Sequence, residues 1–297
     1  MSLKDTVERL MRGAIDFHVH AGPDPFHERR LDVIELAHQG KEAGMKAIVA
    51  KCHQFGTAPL ACLINQIVSD FTLVGSLTLN SGTGGLNPEV VEVAAKAGAK
   101  VIWMPTYSSV VDSKRAREKR EGSAHPATQS VIPQGISLMD GSSNLLPQVI
   151  SILEIIKEND MVLGTGHISV QEIYAVSARA RQMGVKVTIT HPLNSMFGSP
   201  LTMGQQKELA ALGAYIEHTF VTCMPFFGGM SPKVIVEHVK AVGEEHCILS
   251  TDFGQILHPA PPEGFRMMVA YMLDFGLSEK ELQVLIKDNP SKLLGLS

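Results

Sequence analysis

Apolar and polar positions along the chain repeat one phrase. An amphipathic stretch ends at a glycine, a short apolar run follows, and a polar or Gly/Pro-rich loop closes the unit. Gly44 precedes residues 45–51, Gly98 precedes 100–104, Gly184 precedes 185–190 and Gly213 precedes 214–220. Each glycine sits where a helix ends on a residue at positive φ. The runs are rich in β-branched residues and lack a polar face, as strands buried on both sides require. The pattern predicts eight strands, at 14–20, 46–53, 72–80, 100–106, 161–167, 186–191, 214–219 and 247–252. Helices are predicted at 31–43, 59–69, 88–97, 146–158, 170–183, 203–212 and 232–242, with 264–275, 278–287 and 290–296 closing the chain.

Eight strands alternating with helices specify an α/β protein, a (β/α)₈ TIM barrel, as one domain over residues 1–297. An open doubly wound sheet is the alternative, but no G-x-G-x-x-G follows the first strand. One connection breaks the rhythm. Residues 107–145 form a long insertion after strand four, read as a lid over the barrel mouth. It holds a basic run, Lys114 to Arg120, that either offers a cation to an anionic substrate or is a solvated charged loop. It also holds a hairpin turning at Asp140-Gly141.

Composition narrows the class. At 297 residues, 44% hydrophobic and 19% charged, the chain matches an ordinary soluble enzyme. A formal net charge of −4 gives no basic field for nucleic acid. No apolar run reaches membrane-spanning length, so no membrane partner is expected. The charged, amphipathic start is unlike a signal peptide, and Met1-Ser2-Leu3 can include a cloning remnant. Four cysteines without a C-x-x-C pair read as reduced thiols and a cytoplasmic setting. Homo-oligomerisation stays open.

Candidate chemistry gathers at the strand ends. In Ile15-Asp16-Phe17-His18-Val19-His20-Ala21-Gly22-Pro23, alternation along a strand turns His18 and His20 to one face, where two imidazoles can chelate a divalent metal. By itself His-x-His does not defeat the reading of two structural histidines at a strand end. Strand two adds Lys51 and His53, strand five His167, strand six His191, strand seven Glu217-His218 and strand eight Asp252. A barrel brings all of these ends around one axis. Imidazole and carboxylate ligands suit zinc first, and also iron, manganese or nickel.

The order His-x-His, His167, His191, Asp252 resembles the amidohydrolase superfamily of metal-dependent hydrolases, as does the closing segment Asn289-Pro290-Ser291-Lys292-Leu293-Leu294-Gly295. The resemblance implies that His18, His20, His167 and Asp252 are metal ligands. It also implies that Asp252 moves a proton from the metal-bound water, and that His191 binds a second metal or polarises the substrate. Binuclear members place a carboxylated Lys or a Glu on strand four. Residues 103–106 offer neither, which favours one metal ion; a second would need Lys51 or Glu217 to supply the bridge from another strand. Lys51 can equally be a substrate-binding cation, Glu217 a partner of Lys51 or of a histidine N–H, and His53 and His218 outer supports. The implied activity is hydrolysis of a small ester, lactone or amide. The alternative is a mononuclear decarboxylase on the same scaffold, and a third class is a binding protein with a structural metal.

Overall fold

The computed structural model describes residues 2–121 and 134–296. Residues 122–133 of the expected insertion lie outside the described residues. The strands are β1 (Ile15–His20), β2 (Ala47–Lys51), β3 (Thr72–Val74), β4 (Ser76–Thr78), β5 (Val101–Trp103), β6 (Val162–Gly164), β7 (Lys186–Ile189), β8 (Tyr215–Thr219) and β9 (Cys247–Ser250). All pairs are parallel, in the orders β1-β2-β3 and β4-β5-β6-β7-β8-β9. The third predicted strand is therefore split into β3 and β4 at Gly75. A Cβ on Gly75 would lie 2.4 Å from Ala58 Cα, so the glycine admits a close helix contact there.

The ring is not one continuous ladder. Its seam between β1 and β9 is made by a single parallel bridge, Val19–Phe253, with Asp252 N–H donating to His18 O (2.8 Å) and His20 N–H to Phe253 O (2.7 Å). The Asp16 carboxylate adds two bonds across it, accepting from Thr251 N–H (2.9 Å) and Thr251 Oγ1 (2.6 Å). Burial raises Asp16 to about 7 despite those donors.

Helices occupy the intervals that the pattern assigned, two of them (Val170–Met183 and Pro232–Val242) with the predicted bounds. Capping boxes at Asp32, Ser169, Thr202 and Ser278 fix where four of them begin. Gly44, Gly98, Gly184 and Gly213 follow helix ends at φ between +71° and +93°. Inside the ring, Phe17, Val49, Val101, Trp103 and Ile248 pack together, and a larger apolar layer lies between strands and helices. Among the described residues no helix is long and apolar enough to cross a membrane.

The insertion after the fourth predicted strand carries a helix, Val110–Glu121, and then the predicted hairpin. Met139 bridges Leu145, and Asp140 N–H donates to Asn144 O (2.9 Å).

His218 alternates away from the axis toward the helix Pro232–Val242, with its ring 6.0 Å from that of His238. It is fully buried, and neither ring nitrogen has a hydrogen-bond partner among the described residues. Burial holds it down to about 3, with the charge of His238 acting in the same sense. An unfolded histidine titrates near 6.5, so unfolding takes up a proton below that pH. The stability associated with neutral His218 is complete above about pH 6.5 and falls as pH drops toward about 3, by at most ~1.4 kcal/mol per pH unit. His218→Leu should flatten the fall in denaturant-derived stability between pH 6 and 4 without loss at pH 8. An unchanged slope would show that His218 is not a source of acid lability.

Candidate metal centre

Three nitrogen and oxygen atoms converge at the C-terminal mouth of the ring. His18 Nε2 and His20 Nε2 each lie 3.2 Å from Asp252 Oδ1. One ligand atom from each residue falls within 4.8 Å of the others, and all three residues are buried. The convergence depends on an irregularity in β1. The register slips between Asp16 and Val19, so Asp16 pairs with Ile48 and His20 with Lys51. Ile15 and Phe17 join the interior cluster. His18, the next residue, also faces inward, against Lys51, Glu217 and Asp252. A β-bulge of this kind re-aims consecutive side chains. Strict alternation would have turned Asp16 inward with His18; instead its carboxylate is at the seam.

Two further carboxylates hold histidines by their other nitrogens. Glu217 Oε1 lies 3.1 Å from His18 Nδ1 and also accepts from Ser250 Oγ (2.8 Å). A proton on Nδ1 leaves the Nε2 lone pair directed at Asp252 and the mouth. Asp112 Oδ2 lies 2.5 Å from His167 Nδ1, and Asp112 Oδ1 accepts from Gly198 N–H (3.0 Å) and Arg115 Nη1 (2.7 Å). Burial pushes Asp112 upward, but the facing His167 and these donors outweigh it and hold it below the usual carboxylate value. His167 Nε2 in turn lies 3.0 Å from His191 Nε2, a separation suited to two nitrogens about one cation or to one ring donating to the other.

Burial pushes His18, His20, His53 and His191 well below the usual imidazole value. They are neutral at physiological pH, the form that binds metal. This donor set fits a divalent ion: neutral imidazoles with their lone pairs oriented, and one carboxylate.

Lys51 Nζ lies 3.0 Å from His18 Nε2 and 4.9 Å from the Trp103 ring. Burial lowers the ammonium from its ordinary value, against the pull of Asp252 and Glu217. Burial raises Glu217, against the Ser250 hydrogen bond and Lys51. Trp103 fills the interior at the strand where the family resemblance would place a bridging ligand. Gly164 on the next strand leaves room for the indole, since a Cβ there would lie 2.2 Å from Trp103 Cδ1. His53 stands slightly apart, with Nδ1 2.8 Å from Thr106 Oγ1 and its ring stacked 4.1 Å from Tyr107. His218 lies on the opposite face of β8 from Glu217.

His20, Lys51, His53, His167, His191 and Asp252 all line one cavity of about 460 Å³, within the usual range for small-molecule sites. Asp112, Tyr107 and Arg29 belong to this region and were not among the sequence-derived candidates. For Asp112 a signal existed: Ser109-x-x-Asp112 reads as a helix start, and Ser109 Oγ does accept from Asp112 N–H (3.1 Å).

Solved structures share this parallel ring. The chain is similar to an amidohydrolase from Pseudomonas aeruginosa, at 13% identity and a TM-score of 0.63, over 99% of this chain and 98% of that one. It is similar to the probable dipeptidase PvdM of the same organism, at 12% identity and 0.64, over 99% and 98%. It is also similar to 2,6-dihydroxybenzoate decarboxylase from Rhizobium, at 11% identity and 0.53, over 96% and 99%. At these identities the likeness is one of fold. No curated protein matches the chain. A family model described as a family of unknown function, DUF6282, matches residues 13–217, and the chain belongs to that family.

Replacing both His18 and His20 by Ala should abolish stoichiometric metal in elemental analysis; unchanged metal content would refute the assignment. Asp112→Asn should weaken metal affinity or activity by ~10–100-fold, the usual effect of removing a partner that orients a histidine. If both stayed at the wild-type level in metal titration and assay, the Asp112–His167 contact would be structural only.

Proposed function

We propose that the protein is a metal-dependent hydrolase in which a metal-activated water attacks a small ester, lactone or amide. The observation that carries this reading is the convergence of His18 Nε2, His20 Nε2 and Asp252 Oδ1 beside a cavity of small-molecule size. These residues would hold the ion, and zinc suits the set best. One ion is favoured, because Trp103 takes up the interior at the fourth predicted strand. His167 and His191 offer a further pair of nitrogens, to the same ion, to a second one, or with His191 polarising the substrate carbonyl. When bound, the metal supplies a hydroxide-like nucleophile near neutral pH.

The chain's own groups do the remaining work. Asp252 takes the water's proton and returns it to the leaving group. Glu217 and Asp112 keep His18 and His167 in one tautomer. Lys51 presents a cation to substrate oxygen, and its approach to His18 also allows a bridging role. Tyr107 lines the cavity and Asp112, in the helix Val110–Glu121, reaches His167, which supports a covering role for the insertion. The free thiols among the described residues accord with a cytoplasmic protein.

A decarboxylase is the second reading, favoured by the same Trp103 in place of a bridging ligand. Ester, lactone and amide hydrolysis measured beside CO₂ release from a carboxylate panel separates the two. Once a substrate is found, Asp252→Asn should lose ~10²–10⁴-fold in turnover while keeping the fold and part of the metal, the range expected for a lost proton-transfer group. Near-wild-type turnover with metal intact would move the base role to His191 or Glu217.

A further inference from the structure

We infer that Arg29 binds a carboxylate of the substrate away from the reacting bond, so that the substrate is a small organic acid with an apolar body. The inference rests on the reading of this cavity as the active site and deepens it.

Arg29 lies in the loop after β1, and that loop is fastened to the one after β9. Arg29 forms an antiparallel bridge with Gln255, and Arg30 N–H donates to Gly254 O (2.8 Å). The Arg29 side chain is only 5% exposed. Its Nε and Nη2 both donate to Asp24 Oδ2, at 3.0 and 2.6 Å. Asp24 is itself held, with Oδ1 accepting from Phe26 N–H and His27 N–H at 3.0 Å each. The guanidinium is therefore set in place before any ligand arrives. Nη1 makes no hydrogen bond among the described residues, and Arg29, unlike Asp24, lines the cavity that also holds His20, Lys51 and Asp252. An arginine that only stapled its loop would have no need to face that cavity. A fixed planar fork with one edge free is suited to a carboxylate, which it meets with charge-assisted hydrogen bonds.

The rest of the wall describes the body of the ligand. Phe26, Phe226 and Leu257 come from three different loops, after β1, β8 and β9. They are 64%, 61% and 70% exposed, and all line the same cavity. Tyr107 and Phe197 continue the apolar wall, with rings 5.9 Å apart. Exposed apolar side chains gathered at one opening mark a binding site rather than chance exposure.

Calorimetric titration tests the inference with phenylacetate, 3-phenylpropionate and 4-phenylbutyrate, each beside the corresponding neutral alcohol, on metal-free and zinc-loaded protein. At least one acid should bind ~10-fold or more tighter than its alcohol in both forms, as a buried charge-assisted pair implies. Arg29→Gln should erase that preference and leave the alcohol within about 2-fold of wild type, since only the charged contact is lost. Arg29→Lys keeps the charge without the fork and should retain part of the preference; it decides the matter if Arg29→Gln does not melt cooperatively. The inference is overturned if no acid is preferred, if the preference survives Arg29→Gln, or if either variant loses stability without changing it. It is also overturned if the preference vanishes with the metal, which would place the carboxylate on the ion. An acid preference with no hydrolysis of any ester, lactone or amide in a separate assay would sink the hydrolase reading alone, and such hydrolysis without the acid preference would sink only the role of Arg29.

Discussion

The site depends on the seam between β1 and β9. Everywhere else in the ring, neighbouring strands are joined by parallel ladders or, at Gly75, by the continuity of one strand. At the seam there is one bridge, two backbone hydrogen bonds and the Asp16 carboxylate. The two backbone bonds involve the candidate metal-facing residues themselves: Asp252 N–H donates to His18 O, and His20 N–H donates to Phe253 O. Joining the ends of the ring and assembling the candidate ligands are the same event. The slip in β1 is part of it, because it frees Asp16 for the seam and turns His18 to the mouth.

Around that junction two carboxylates act alike from different places. Glu217 reaches His18 from within β8, and Asp112 reaches His167 from the helix of the insertion. Each accepts at Nδ1 and leaves Nε2 directed inward, so ring orientation is fixed by partners that need not touch a substrate. His191 and Asp252 also sit at positive φ, +32° and +55°. Histidine and aspartate enter that region more readily than most residues, and strain there is characteristic of functional positions.

Much of this was legible in the residues. Apolar runs and glycine-terminated helices located the strands, and polar residues at their ends pointed to His18, His20, His167, His191 and Asp252 as candidates. The bulge was not legible, because a register slip changes hydrogen bonding without changing composition. The partner of His167 was hidden for a different reason. Asp112 is 55 residues away in sequence, at the head of a conspicuously basic helix, and net charge draws attention to the wrong residues. In that run Arg115 turns inward, donating to Asp112 and to the carbonyls of Met196 (2.9 Å) and Gly198 (3.1 Å), whereas Lys114 pairs with exposed Glu118. Burial decides between those fates, and burial is a property of the folded chain.

The tie between the loops after β1 and β9 has a consequence for how such a barrel can diversify. Arg29–Gln255 and Arg30–Gly254 make the two loops one piece, and Gly254 leaves no space for a side chain, since a Cβ there would lie 1.9 Å from His20 O. Barrel enzymes are often remodelled by exchanging one loop at a time on a constant framework. Here the first and last loops would have to be exchanged together, as a single cassette, or the graft would pull on the backbone that carries His20.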